Sequence, residues 1–153
     1  KKYKKKFKLL FISSHNSNDE IKVDRIIEKN NLMKNIDFIK PTLDIKKMYE
    51  MSILVINMSS RPEGFGRTIS EALSMSRPVI APNIGGTKEQ LDSFNSRLLF
   101  NISSYKSFLG AFKYAIKYRK VISKKARSYV KENYSSEIMC KSTLEIYKNL
   151  INQ

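Results

Sequence analysis

Residues 61–91 read RPEGFGRTISEALSMSRPVIAPNIGGTKEQL, and this stretch decides the architecture. A glycine-bearing loop (Glu63-Gly64-Phe65-Gly66) leads into a helical pattern at 68–76. A strand at 78–82 (PVIAP) follows, with Gly85-Gly86 just beyond it. Upstream, residues 53–58 (ILVINM) form an apolar run bounded by polar residues, which predicts a strand. The unit is therefore strand, loop, helix, strand. Working outward, residues 7–14 (FKLLFISS) predict a buried strand. Ile21, Val23, Ile26 and Ile27 then suit a helix ending near Asn30 and Asn31. Residues 36–40 (IDFIK) predict a short strand stopped by Pro41, after which Thr42 caps a short helix holding Leu43, Ile45, Met48 and Tyr49. On the C-terminal side, Gly86-Thr87 opens a short helix through Leu91, and 97–100 is one last strand. Ser103-Ser104 caps a long helix to about Tyr118, and two further helices cover 123–133 and 136–151. Strands alternating with helices predict an α/β fold, a Rossmann-like parallel sheet with helices on both faces. Ligands of such sheets bind beyond the carboxyl ends of the strands.

With 153 residues and no repeat or long linker, residues 1–153 read as a single domain, with C-terminal helices from about 104. Hydrophobic residues make up 41%, enough for a core, which excludes wholesale disorder. The one cysteine, Cys140, excludes a disulfide framework and a multi-cysteine zinc site. No apolar run reaches the ~18 residues of a membrane span, so the expected location is cytoplasmic. The chain carries 29 Lys or Arg against 14 Asp or Glu, a net charge of +15. That excess is confined to two places. Residues 1–8 (KKYKKKFK) hold six Lys and no acid, and residues 106–131 hold nine Lys or Arg and no acid. Such patches are either solvated faces, the product of a Lys-rich composition, or contacts to an anionic partner. An anionic membrane surface at the inner membrane face is the partner considered first. Nucleic acid fits less well, because Phe108, Phe112 and Ala115 follow helical core spacing and are not stacking platforms.

Chemistry concentrates in the loop at 63–71. Gly64 and Gly66 let a backbone approach a ligand closely, and the helix after them offers open N–H groups suited to phosphate oxygens. Glu63 stands before the turn and Glu71 eight residues later, so both can border one pocket. A carboxylate accepts two hydrogen bonds from a vicinal diol. Phosphate at the amides with hydroxyls at two glutamates describes a nucleotide sugar. Arg61 and Lys88 adjoin the motif as candidate cations. His15 reads as a surface-loop residue, Cys140 as a half-buried helix residue, and Met48, Met51, Met58, Met75 and Met139 as core filler. No cluster has metal-ligand spacing.

Three pieces of this stretch carry a family resemblance: Glu63-Gly64-Phe65-Gly66 with Glu71-Ala72, then Arg77-Pro78-Val79-Ile80-Ala81, then Gly85-Gly86-Thr87-Lys88-Glu89. Together they resemble the donor-binding, C-terminal half of family 4 retaining glycosyltransferases of the GT-B fold. The resemblance implies that Glu63 holds hydroxyls of the transferred sugar and that Phe65 and Gly66 line its pocket. It also implies that the Arg67 and Thr68 amides meet the diphosphate, that Glu71 binds the ribose, and that Lys40 and Pro41 lie near the base. It implies neither a cofactor nor a required metal, only a nucleotide-sugar donor. Against the family pattern, the N-terminal acceptor domain is missing, with any catalytic residues it carries, and so are the first strand and helix of the donor domain. Lys1 to Lys6 would be the tail of that helix. Ser13-Ser14-His15-Asn16 stands where the family often has Gly-x-Gly-Pro. The expectation is a donor-binding part that does not transfer sugar alone. Two alternatives remain open: a non-catalytic binding module using its basic patches, and a GT-B epimerase or phosphorylase relative. A receiver domain is disfavoured, because Phe11-Ile12-Ser13-Ser14 offers no acidic pair.

Overall fold

The computed structural model describes residues 7–12, 18–41 and 44–152. The expectations for Lys1 to Lys6, for the Ser13–Asn16 loop with His15, and for the Thr42 cap lie outside these residues. The chain divides into two compact units, Lys1–Ile45 and Lys46–Gln153. The strands form two parallel ladders, one within each unit.

In the first unit, β1 (Leu9–Ile12) pairs in parallel with β2 (Ile36–Ile39), Leu9 opposite Ile36 and Ile12 opposite Ile39. Helix α1 (Asn18–Lys29) and a 3₁₀ turn at Met33–Asn35 make the crossover, and Ile27 of α1 is buried. The Phe11 and Phe38 rings stack at 5.5 Å across the ladder. A Lys8–Asp37 ion pair of 2.6 Å is half exposed, and such pairs contribute little. The expectation of a buried strand at 7–14 needs correcting in its burial: in β1, Leu9, Phe11 and Ile12 are 38–40% exposed, and residues 13 and 14 lie outside the described ones. An apolar run records the tendency to be covered, and only β2 pairs with this strand among the described residues.

The second unit holds α2 (Ile45–Met51), which begins one residue before it, and the ladder β3 (Val55–Ile56), β4 (Val79–Pro82) and β5 (Leu99–Phe100). Val55 pairs with Val79 and Ala81 with Leu99, all in parallel. β4 is central and wholly buried, as its unbroken apolar sequence requires. Pro82, its last residue, stands opposite Phe100 of β5. Between the strands run α3 (Arg67–Ser74) and α4 (Gly85–Asn95); α5 (Tyr105–Lys117), α6 (Arg119–Tyr134) and α7 (Ser136–Ile151) follow. The result is an α/β fold of parallel sheets with helices on both sides.

Helix α3 shows how local sequence sets the site. Ile69, Ala72 and Leu73 fall on one face and are fully buried. Ala72 and, on α6, Ala126 are small enough for α3 to pack chiefly against α6. The helix ends where Ser76 takes a left-handed φ of 57°, its N–H bonding Leu73 O while Arg77 N–H bonds Ala72 O. Helix α4 runs to Asn95, past its expected end at Leu91, because Gln90 and Leu91 are core residues and the chain turns only after them. Ser104 caps α5 by accepting from Ser107 N–H, as expected. Two assignments of side chains to the core fail. Met51, Met58 and Met139 are more than half exposed, while Met48 and Met75 are half-buried. Cys140 is exposed, because α7 buries none of its residues. Among the described residues no helix is long and apolar enough to cross a membrane.

Candidate functional site

The site starts at the end of β3. Asn57 is buried, and its N–H continues the ladder to Ile80 O at 3.0 Å. Its side chain bridges two groups: Oδ1 accepts from Ser59 N–H at 2.9 Å, and Nδ2 donates to Glu63 Oε1 at 3.2 Å. Glu63 is thus held by the strand that precedes its loop.

Three contacts fix the 63–66 loop from α4. Gly86 N–H donates to Glu63 O at 2.8 Å. Gln90 is 2% exposed, and its Nε2 donates to Phe65 O and, at 3.3 Å, to Gly66 O. Tyr129 of α6 in turn donates to Gln90 O at 2.8 Å. The two loops touch backbone to backbone. A Cβ on Gly86 would stand 2.5 Å from Gly64 O, and one on Gly85 2.8 Å from Glu63 O. Gly85-Gly86 is therefore the surface against which the acidic loop is pressed.

Gly66 caps α3 at φ 79°, a conformation that favours glycine. Ile69 N–H returns to Gly66 O at 2.9 Å, and the Arg67 and Thr68 amides have no partner among the described residues. Two acids flank this open turn. Glu63 Oε2 lies 3.6 Å from the position of a Cβ on Gly66. Glu71, one turn into α3, accepts from Arg67 Nη2 at 3.0 Å on Oε1 and from Tyr49 Oη at 2.9 Å on Oε2. Burial raises the Tyr49 phenol well above its ordinary value of 10, and the hydrogen bond to Glu71 and its charge raise it further. Tyr129 is raised likewise, first by burial and then by its bond to Tyr134.

The structure thus brings Glu63, Phe65, Gly66, Arg67, Thr68 and Glu71 to one loop and helix start. The Phe65 ring is 47% exposed and meets Tyr134 edge-on at 5.5 Å. Lys40 and Pro41 belong to the first unit, directly after β2, and both are exposed. Lys88 does not join the acids; with Asn83, Asp92, Asn101 and Ser107 it lines a polar cavity of about 400 Å³. Arg61 is exposed and forms no ion pair among the described residues. No group of three or more His, Cys, Asp or Glu side chains converges among the described residues. Sequence reasoning missed Tyr49, Asn57 and Gln90. Asn57 had a signal, a polar residue ending an apolar strand; Tyr49 had none, because it meets Glu71 across 22 positions.

Comparison with known proteins gives a family for this parallel α/β ladder with its acidic, glycine-capped loop. The family described as "Glycosyl transferases group 1" matches residues 1–135, and the chain belongs to it. It is 27% identical over 149 residues to the O-antigen biosynthesis glycosyltransferase WclY of Escherichia coli, covering 97% of this chain and 41% of WclY. Among solved structures, a glycosyltransferase from Rickettsia africae ESF-5 aligns with a TM-score of 0.81 at 28% identity, covering 95% of this chain and 40% of that one. Anabaena Alr3699/HepE in complex with UDP aligns with a TM-score of 0.82 at 19% identity, covering 94% and 41%, and this likeness concerns the fold. The chain spans about two-fifths of the length of these relatives.

Proposed function

We propose that this chain is the donor-binding domain of a retaining glycosyltransferase that moves a hexose-type sugar from a nucleotide to a glycan or lipid-linked acceptor. One observation carries the reading: two open amides at the start of α3 stand between two acids, each held by a buried side chain. Amides at a helix start suit a diphosphate, and acids beside them suit hydroxyls. In this reading Glu63 takes sugar hydroxyls beside Phe65 and Gly66, and Arg67 and Thr68 take the diphosphate. Glu71 takes the ribose, and Lys40 and Pro41 lie toward the base. Amides and protein cations meet the diphosphate without a metal. The similarly folded HepE was solved in complex with UDP, which supports a nucleotide as partner.

The acceptor domain belongs, in this reading, to a longer protein. Calorimetric titration with UDP, GDP and ADP tests the reading. Weak binding of at least one, without sugar transfer by the isolated chain, is expected. No binding of any, or robust transfer, would contradict it.

A second reading concerns location. Lys120, Lys124, Arg127 and Lys131 recur at i, i+4, i+7 and i+11 on α6, all exposed and none in an ion pair among the described residues. This stripe suits an anionic lipid surface, at about 1 kcal/mol per cation, screened by salt. Co-sedimentation with anionic but not neutral vesicles is expected; equal pelleting with both would refute it.

A further inference from the structure

We infer that Tyr49 is a positioning residue for ribose recognition: from α2 it holds the Glu71 carboxylate so that its open edge meets both hydroxyls of a ribose. The inference rests on the reading of Glu71 as the ribose acceptor and adds a residue, and a selectivity, to it.

A carboxylate offers about four acceptor sites on its two oxygens. Tyr49 Oη takes one on Oε2 and Arg67 Nη2 one on Oε1. One site per oxygen is left, and two adjacent acceptors match the two adjacent donors of a cis-diol. A 2′-deoxy sugar supplies only one of them. The two holders are unequal. The Arg67 side chain is 85% exposed, so its bond to Glu71 competes with water and salt. Tyr49 is 7% exposed, and its phenol has Glu71 as its only partner among the described residues. A phenol is protonated, hence a donor, over the whole neutral range, and burial extends that state to higher pH. Its helix is pinned in turn. Ser52 donates to Tyr49 O through N–H at 3.1 Å and Oγ at 2.9 Å, and Arg77 Nη2 donates to Glu50 O at 2.8 Å. The rigid side of the Glu71 site is therefore α2, and Tyr49 is its contact.

The test titrates the chain with UDP, GDP and ADP, then compares the tightest ligand with its 2′-deoxy counterpart in the parent and in Tyr49→Phe. Phenylalanine keeps the ring in place, and thermal unfolding verifies that the variant folds. The parent is expected to prefer the ribose form. Tyr49→Phe should weaken that form by about 10-fold, the loss of a hydrogen bond to a charged group, and leave the deoxy form nearly unchanged. In a Glu71→Gln background the same substitution should have little further effect, as coupled residues require. Equal weakening of both forms, or a preference that survives Tyr49→Phe, would overturn the inference and leave the nucleotide reading standing. A parent that binds nucleotides without preferring ribose would remove both Tyr49 and Glu71 from ribose recognition. A parent that binds none would remove the proposed function itself.

Discussion

Each acid of the candidate site is one half of a pair whose other half is buried. Glu63 depends on Asn57 and Glu71 on Tyr49. In the longer protein, Glu63→Ala should lower kcat/KM by about 10- to 150-fold, the equivalent of ~1.5–3 kcal/mol, whereas Cys140→Ala on the exposed face of α7 should leave it unchanged. Steady-state kinetics on both variants checks this. The glycines separate as sharply. Gly64 has nothing within 4 Å of an added Cβ, whereas Gly86 has Gly64 O at 2.5 Å and Phe65 Cα at 2.7 Å. Gly64→Ala should therefore change unfolding stability by no more than ~0.5 kcal/mol. Gly86→Ala should cost at least about 1–3 kcal/mol, because rigid backbone must move. Equal denaturation midpoints for the two would refute that clamp. Tyr49 and Tyr129 both titrate above their ordinary value of 10. Their contribution to stability is full below pH 10 and is lost as pH rises toward the raised values. An alkaline titration followed by tyrosinate absorbance should show these two phenols ionising well above pH 10, together with unfolding.

Among elements, periodicity and caps were well written in the sequence. Residues 136–151 were read as a helix, and α7 spans Ser136–Ile151. Ser104 was read as a cap and is one. What an apolar residue meets was not written there. Met139, Leu144, Ile146, Tyr147 and Leu150 give α7 an apolar stripe, yet all are more than half exposed. The stripe records only a wish for cover, so the same pattern that is core in α5 is surface in α7. Truncation after Ser135 should accordingly cost no more than ~1 kcal/mol in thermal unfolding, since α7 buries no residue. Leu73→Ala on α3, fully buried, should cost about 2–5 kcal/mol. A larger loss from the truncation than from Leu73→Ala would contradict this ranking.

For the whole molecule, the motif at 63–71 was legible because its chemistry is local: two acids, two glycines and a helix start lie within nine positions. The supports were not legible, because Tyr49, Gln90 and Tyr129 reach that loop only through the fold. Charge was legible as a sum and as two basic stretches, whereas the stripe on α6 emerged with the helix, and its partner is a matter for vesicles. The central claim is that a nucleoside diphosphate settles on the first turn of α3 between Glu63 and Glu71. Amide NMR of the labelled chain during titration with UDP, GDP and ADP tests it most directly. The expected result is that the Arg67 and Thr68 amides shift most, and that Glu71→Gln weakens the response to a ribonucleotide. Shifts confined to the cations between Lys106 and Lys131, with Arg67 and Thr68 unmoved, would contradict it.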